Sequence, residues 1–293
     1  AIQYSINILE KNDFLLIAGK GHENYQDYGN KIISISDKQI VKRLINNIKK
    51  RPKEKEYLSN SKILNRILND KKIYRFDGLS IDSRDVKKDN LFLALKGKNS
   101  DGNKFIHKSL KKGAKYIVSS KKNLKNNKKY IKVKDSVKFL NQFAKLKRES
   151  SNAKVLAITG SAGKTSLKNI LYNLLDKYGF TYASPKSFNN HFGVPVSLSN
   201  LKLSHRFGVF EIGMSKFGEI NTLSKMVKPN FAIITNIGEA HIENFKNIKE
   251  IAKAKGEIIN NIEKNGSVIL NRDDKFFNYL KYQAQLRHIK VRT

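Results

Sequence analysis

The segment 159–165, Thr-Gly-Ser-Ala-Gly-Lys-Thr, constrains the fold of this chain more than any other feature. It follows an apolar, β-like run (155–158) and opens a stretch of helical periodicity (166–178). A glycine-rich turn between a strand and a helix lets backbone N–H groups face phosphate oxygens, and the helix N-terminus adds partial positive charge. In this pattern Lys164 reaches the β- and γ-phosphates, and the Thr165 hydroxyl binds Mg²⁺. The sequence therefore predicts a nucleotide-binding loop formed by Gly160, Ser161, Ala162, Gly163, Lys164, Thr165 and Ser166.

The loop is a shortened variant, because the general motif has a glycine where this chain has Ile158. Downstream, apolar runs alternate with stretches of helical periodicity. This alternation predicts a parallel sheet covered by helices on both faces. The expected strands are 208–212, 231–235 and 268–270, and the expected helices are 219–226 and 248–262.

The chain has 293 residues, which favours two or three domains. We expect an α/β protein: an incomplete P-loop parallel-sheet ATPase domain (151–293) preceded by a small α/β domain (58–150) and a short α/β remnant (1–48). The remnant is predicted to contain strands 14–18 and 31–35 and a helix at 37–48. Residues 49–57, between the remnant and the small α/β domain, form a charged run that contains Pro52 and has nothing to bury. They are therefore predicted to be a linker.

Composition excludes several classes of protein. The chain contains no cysteine, so disulfides, thiolate zinc sites and cysteine nucleophiles are absent. No apolar run is long enough to cross a bilayer and no signal peptide opens the chain, so we expect a cytoplasmic protein without membrane insertion. The net charge of +33 is compatible with a nucleic-acid-binding protein. However, lysines occur in every segment of the chain, which favours a solvated basic surface and no nucleic-acid partner.

Three residues after the loop are candidate metal ligands. Glu211 lies at the C-terminal end of a predicted strand. In a parallel sheet a carboxylate there faces the ligand crevice, or else it lies at a sheet edge in water. His241 follows the next strand and could ligate metal or contact phosphate, although a loop histidine alone is more often simply exposed. Lys255 lies on the apolar stripe of the helix 248–262. It either extends its ammonium to water, which the stripe alone favours, or lies in a cleft where burial lowers its pKa.

The phosphate loop and four further motifs carry a family resemblance. The loop, SFNNHFGVP (187–195), FEIGM (210–214), TNIGEAHIE (235–243) and AKAKGEI (252–258) resemble, in this order, the ATPase domain of the Mur ligases. The likeness is to the type that joins D-alanyl-D-alanine to a UDP-linked tripeptide. DGLSIDSR, LFLALKG and DGNKFI (77–106) resemble that type's N-terminal domain, and ILNRDD (269–274) its adenine-side loop. Together the motifs extend over nearly all of 58–293.

Residues 1–48 resemble a different member of the family. LLIAGKGHENYQ (15–26) is similar to the C-terminal end of the ligases that add the third amino acid, in which the Gly19 and Glu23 positions contact diaminopimelate. The resemblance implies an internal slice of a fused polypeptide, whose remainder would be a partner, or a join of two neighbouring reading frames. It also implies that the third, dipeptide-binding domain is missing after Thr293, so that the chain alone binds ATP without ligating.

The resemblance implies a mechanism. In this family ATP phosphorylates the carboxylate of UDP-N-acetylmuramoyl-tripeptide, and the amine of D-alanyl-D-alanine attacks the acyl phosphate. It implies ATP and two Mg²⁺ ions as cofactors, with Lys164, His241 and Lys255 as catalytic residues. Thr165 and Glu211 would hold the first ion and His241 the second, supported by a carbamylated Lys255. This reverses the preference for a solvent-exposed Lys255 ammonium.

The resemblance also implies substrate contacts. Asn271 and Asp274 would lie near adenosine, and Ser83 and Arg84 would seat the UDP end. Asn189 and Asn190 would face the junction of nucleotide and substrate.

Other readings stay open at this point. A folylpolyglutamate-type ligase has the same ATPase domain but lacks the N-terminal domain resembled by residues 77–106. A simple P-loop NTPase or kinase would need no peptide substrate, and a basic nucleic-acid-binding protein would explain the charge alone. The sequence leaves open the oligomeric state, whether the fusion is genuine, and whether the third substrate residue is diaminopimelate or lysine.

Overall fold

The structure is a computed structural model that describes residues 36–97, 100–121 and 127–293, together with 2, 5, 14–17, 25–27 and 29–34. The chain divides into two compact units, Ala1–Glu56 and Tyr57–Thr293. Within the described residues, every helix is too short or too polar to span a membrane.

In the first unit, strand β1 (Tyr25–Asp27) pairs antiparallel with β2 (Ile32–Ser34). The prediction of a strand at 31–35 is confirmed by β2. The strand predicted at 14–18 is wrong, because residues 14–17 have no regular secondary structure. The predicted substrate contacts Gly19 and Glu23 lie outside the described residues.

Helix α1 (Asp37–Leu68) is much longer than the helix predicted at 37–48. Residues 49–57, predicted to be a linker, lie inside it. The physical reason is composition: lysine, glutamate and arginine have high helix propensity, so a run with nothing to bury is still a good helix former. Pro52 lies in the helix interior, where it removes one backbone N–H donor. The boundary between the two compact units falls at the end of this run.

A small parallel sheet forms the first part of the second unit. The elements are β3 (Leu79–Ser80), β4 (Leu91–Ala94), a 3₁₀ turn (Gly102–Phe105), α2 (Ile106–Lys111), β5 (Tyr116–Ser119), β6 (Tyr130–Lys132) and α3 (Ser136–Glu149). The strand order is β3-β4-β5-β6. In the core of this part, the leucines of β4 pack with Phe76 and with Phe139 and Phe143 of α3.

A six-stranded parallel sheet follows. Its strands are β7 (Lys154–Thr159), β8 (Thr181–Ala183), β9 (Phe207–Glu211), β10 (Phe231–Ile234), β11 (Ser267–Leu270) and β12 (Lys290–Arg292). Their order in the sheet is β12-β11-β10-β7-β9-β8. Its helices are α4 (Lys164–Leu175), α5 (Gly193–Ser199), α6 (Glu219–Val227), α7 (Ile248–Gly256) and α8 (Phe277–Gln285). Short 3₁₀ turns occupy Ile242–Asn244 and Glu257–Asn261.

Alternation along the strands buries both faces of this sheet. In β7, Ala157 belongs to the large core shared with α6 and α7, whereas Ile158 packs with Val209 and the leucines of α4. The predicted α/β fold with helices on both faces is therefore confirmed. Strand β7 lies between β9 and β10. After β7 the chain forms β8 and β9 on one side of it, and then crosses to form β10 on the other side. At such a switch point, ligands bind beyond the carboxyl ends of the strands.

Candidate nucleotide and metal site

The loop after β7 has the backbone that its sequence predicts. Gly160 has φ of 148° and Gly163 has φ of 78°, and Gly163 is the N-cap residue of α4. A Cβ atom on Gly160 would lie 1.8 Å from the Thr235 hydroxyl oxygen, so only glycine fits there. The two glycines therefore allow the sharp turn that leads from β7 into the N-terminus of α4.

The segment after β10 supports this loop. The Asn236 side-chain oxygen accepts hydrogen bonds from the backbone N–H groups of Ser161 (3.1 Å) and Ala162 (2.9 Å). The Thr235 hydroxyl donates to the Ala162 carbonyl at 2.6 Å. The Ser161 hydroxyl exchanges hydrogen bonds with the backbone of Gly238. These contacts from the neighbouring strand end therefore hold the loop in its conformation.

Lys164 begins α4 and folds back over the loop. Its Nζ donates to the Gly160 carbonyl at 2.7 Å. Burial lowers the pKa of Lys164, and the nearby Glu211 carboxylate acts in the opposite direction. The ammonium therefore donates a hydrogen bond to a backbone carbonyl, and it can exchange this acceptor for phosphate oxygens.

Glu211 ends β9 and is 1% exposed, so it is not an edge carboxylate in water. One carboxylate oxygen accepts from the Thr165 hydroxyl (2.8 Å) and lies 3.6 Å from Lys168 Nζ. The other accepts from the Asn189 side-chain amide at 2.7 Å. The buried charge is therefore compensated by two donors and a cation, as a carboxylate away from water requires.

A cavity of about 730 Å³ opens beside this cluster. Its lining brings together five predicted site residues: Lys164, Asn189, Asn190, His241 and Lys255. They come from distant parts of the sequence and meet because the carboxyl ends of parallel strands lie at one edge of the sheet.

Lys255 is 2% exposed, so its ammonium does not reach bulk water as the apolar stripe alone favoured. Burial, and secondarily the positive charge of Lys164, lower its pKa to about 8. His241 is different: its side chain is about half exposed, and its backbone has φ of 66°. Its Nδ1 lies 3.9 Å from a carboxylate oxygen of Glu243.

The residues present fit the cofactors that the sequence suggested. The Thr165 hydroxyl and the Glu211 carboxylate are oxygen ligands of the kind that Mg²⁺ prefers. Among the described residues, no three His, Asp or Glu side chains cluster closely enough to hold a metal. A second ion would thus depend on His241, phosphate oxygens and a negative group on Lys255. The lowered pKa of Lys255 makes the neutral amine, the form that can accept a carboxyl group from CO₂, more available.

The remaining predicted residues lie at the two flanks. The Asp274 carboxylate accepts from the Ile237 N–H at 2.6 Å, which ties the segment after β11 to the segment after β10, and Asn271 caps the neighbouring turn. Arg84 pairs with Asp82 at 2.7 Å and lines a second cavity of about 670 Å³ between the two sheets. Ser83 is buried and does not line that cavity.

Sequence reasoning missed two residues of this site. Asn236 supports the phosphate loop, and Lys168 is buried beside Glu211. The spacing of Lys168, one helical turn after Lys164, was a usable signal, because residues at i and i+4 share a helix face.

The fold and the site define a P-loop nucleotide-binding protein. The family model described as "Mur ligase middle domain" matches residues 158–293, and that described as "Mur ligase family, catalytic domain" matches residues 75–148. The chain belongs to the Mur ligase family.

Within this family the chain is similar to UDP-N-acetylmuramoyl-tripeptide–D-alanyl-D-alanine ligases. The ligase of Rickettsia prowazekii is 43% identical over 214 residues, which are 73% of this chain and 47% of the relative. The ligase of Escherichia coli is 33% identical over 215 residues, again 73% and 47%. The chain thus spans about half the length of the curated relatives it matches.

Solved structures agree with the curated relatives. MurF from Acinetobacter baumannii is 29% identical with a TM-score of 0.66, covering 79% of this chain and 52% of that protein. The MurF ligase from Thermotoga maritima in complex with ADP is 31% identical with a TM-score of 0.63, covering 75% and 51%.

Proposed function

We propose that this chain serves the reaction named in its relatives: the ATP-dependent addition of D-alanyl-D-alanine to UDP-N-acetylmuramoyl-tripeptide in cell-wall precursor synthesis. The observation that carries the proposal is the buried Glu211 carboxylate, hydrogen-bonded both to Thr165 of the phosphate loop and to Asn189 beside the cavity. This arrangement connects the nucleotide site directly with the space where a carboxylate substrate would lie.

The chemical problem in such a ligation is negative charge. A substrate carboxylate must approach a triphosphate, and cations placed beforehand lower the barrier. When bound, Mg²⁺ would neutralise phosphate charge and polarise the transferred group. Lys164 would exchange the Gly160 carbonyl for phosphate oxygens, and Thr165 and Glu211 would hold one ion.

The finer assignments rest on the same cavity. We infer that His241 and a carbamylated Lys255 serve a second Mg²⁺ ion, and that Asn190 contacts the tripeptide substrate. Asn271 and Asp274 would border adenosine, and Arg84 would meet the diphosphate of the UDP end, where a guanidinium suits phosphate geometry.

Like the site roles proposed above, two further expectations from the sequence stay predictions. The family models match only residues from 75 onward, so the resemblance of residues 1–48 to ligases that add the third amino acid stands on motifs alone. The cytoplasmic location expected from the sequence is likewise a prediction.

Calorimetric titration of the 293-residue chain with a non-hydrolysable ATP analogue, in Mg²⁺ buffer, tests the proposal. We expect binding that tightens when UDP-N-acetylmuramoyl-tripeptide is present. Lys164→Ala should weaken the analogue's affinity roughly 10- to 100-fold, because it removes a charge-assisted hydrogen bond to phosphate. Lys253→Ala, an exposed lysine of α7, is the control and should bind like the wild type.

Two results would contradict the ligase assignment. ATP hydrolysis that is indifferent to the UDP-linked tripeptide would indicate a simple NTPase. Salt-sensitive binding to random DNA without any nucleotide binding would favour the nucleic-acid alternative.

A further inference from the structure

Lys168 is a fully buried lysine of α4 that the proposed chemistry does not use. It lies one helical turn after Lys164 and is 2% exposed. Burying an ammonium costs several kcal/mol unless the surroundings compensate it. A lysine retained at such a position therefore needs close partners.

The partners of Lys168 belong to the nucleotide and metal site. Its Nζ lies 3.6 Å from the Glu211 carboxylate oxygen that also accepts from Thr165. It donates a second contact to the backbone carbonyl of Lys186. Lys186 has φ of 50°, in the left-handed region that non-glycine residues rarely adopt. One ammonium thus holds both a metal-ligand candidate and an unusual backbone turn.

That turn leads to Asn189, three residues further on. The Asn189 amide donates to the other oxygen of Glu211 at 2.7 Å. Lys168 therefore contacts Glu211 directly and also anchors the segment that presents Glu211's remaining partner. Removing it would release the carboxylate on one side and loosen the 185–189 segment on the other.

We propose that Lys168 is a positioning residue for the magnesium site: it fixes Glu211 and the 185–189 segment relative to Thr165, so that the metal ligands are arranged before Mg²⁺ and nucleotide bind. The inference rests on the proposed function, because it assigns Mg²⁺ to Thr165 and Glu211. Groups that orient metal ligands in this way typically contribute 10- to 100-fold to metal affinity.

The competing explanation is that Lys168 only stabilises the fold. The chain offers a matched control, Lys147, which is 1% exposed and donates to the Asn60 side chain within the small-sheet part of the unit. Lys147→Met removes a buried ammonium of the same kind at a position that contacts neither Glu211 nor the phosphate loop. Any general effect of losing a buried lysine should appear in both variants.

The measurement is how much Mg²⁺ strengthens nucleotide binding. The affinity for a non-hydrolysable ATP analogue is measured in excess Mg²⁺ and again in EDTA, and the first value is divided by the second. Lys168→Met should lower this ratio about tenfold, with a smaller change in the EDTA affinity. Lys147→Met should keep the wild-type ratio even if its melting temperature falls. Lys168→Arg, which keeps a cation and donors, should retain more of the ratio than Lys168→Met.

Circular dichroism shows whether each variant is folded at the assay temperature. If Lys168→Met is unfolded at that temperature, Lys168→Gln replaces it in the measurement of the Mg²⁺ ratio, since a shorter polar side chain perturbs a polar pocket less. An unchanged ratio in the folded variant, or equal weakening with and without Mg²⁺, would overturn the role assigned to Lys168. A wild-type chain whose nucleotide affinity ignores Mg²⁺ would instead contradict the proposed function.

Discussion

At the residue scale, the environment of Lys255 could not be obtained from its helix alone. The stripe of α7 correctly predicts that Lys255 faces inward, since residues four and seven apart share a helix face. Whether the ammonium reaches solvent depends on which residues pack over the stripe. These residues come from distant segments of the sequence, such as the phosphate loop. The structure leaves the amine 2% exposed and beside Lys164, with a pKa of about 8.

Lys255 therefore makes stability depend on pH. Its folded pKa of about 8 lies below the ordinary value of 10.5, so between these values the unfolded chain binds more protons. Its contribution to the free energy of unfolding should rise from pH 8 to 10.5 and stay at its minimum below pH 8. At pH 7, Lys255→Met should consequently raise the free energy of unfolding by about 3 kcal/mol.

Urea denaturation at pH 7 and pH 9.5, in bicarbonate-free buffer so that the amine stays unmodified, checks this prediction. The advantage of Lys255→Met over the wild type should shrink at the higher pH. Lys253→Met, on the exposed side of the same helix, serves as the control because its ammonium already lies in water. An advantage that is the same at both pH values would show that packing, and not the buried charge, separates the variants.

At the element scale, the sequence predicts the elements with long apolar runs or strong periodicity. Strand β10 differs from its predicted bounds by one residue at its end, and β7 and β9 differ by one residue at each end. The edge strands β8 and β12 were missed, because each has three residues and only one neighbouring strand. Their conformation is imposed by pairing, which a local pattern does not report. The candidate site was predicted more completely than these edges because its residues occupy recognisable motifs.

Arg148 joins two helices that no sequence pattern connects. Near the end of α3, it donates to the carbonyls of Val227 (2.7 Å) and Lys228 (2.8 Å), at the end of α6. These terminal carbonyls have no partner within their helix, and the negative end of the helix dipole favours a cation. Arg148→Met should lower the free energy of unfolding by about 3 kcal/mol, since it leaves two buried acceptors without a donor.

Equilibrium urea unfolding measures this loss. Arg148→Lys should recover only part of it, because an ammonium lacks the fork that reaches both carbonyls at once. Lys145→Met, an exposed position of the same helix, is the matched control and should stay within about 0.5 kcal/mol of the wild type. If Arg148→Met proved equally mild, the connection between the helices would have to depend on apolar contacts.

At the scale of the whole molecule, the charge is a property of the surface. The chain has 58 Lys and Arg residues against 25 Asp and Glu. Among the residues whose side chains the structure describes, the buried basic ones are Lys147, Arg148, Lys168 and Lys255. Two of these four, Lys168 and Lys255, border the candidate nucleotide and metal site, so only a small part of the total positive charge is internal. The remaining excess attracts anions in general through the overall field.

The two sheets of the unit 57–293 are joined by polar and apolar contacts. The Asn200 side chain accepts from the Leu79 N–H (3.0 Å) and donates to the Leu79 carbonyl (2.8 Å), in the manner of a strand pairing with the edge of the small sheet. Lys202 pairs with Asp77 at 2.8 Å, and Val196 of α5 belongs to the small-sheet core. A segment of the large-sheet part is thus built into the small one, so we expect the two sheets to unfold together.

Asn200→Ala tests this cooperation, because it leaves the backbone groups of Leu79 without partners and should cost about 2 kcal/mol. If the sheets unfold as one unit, the slowest-exchanging amides of β4 and of β10 should both lose protection by the same factor, roughly 30-fold. Native-state hydrogen exchange followed by mass spectrometry or NMR measures both at once. Asn278→Ala, at an exposed position of α8, should leave both sets unchanged. Faster exchange in β4 alone would show that the small sheet unfolds independently. The two sheets could then move relative to each other at the cavity between them.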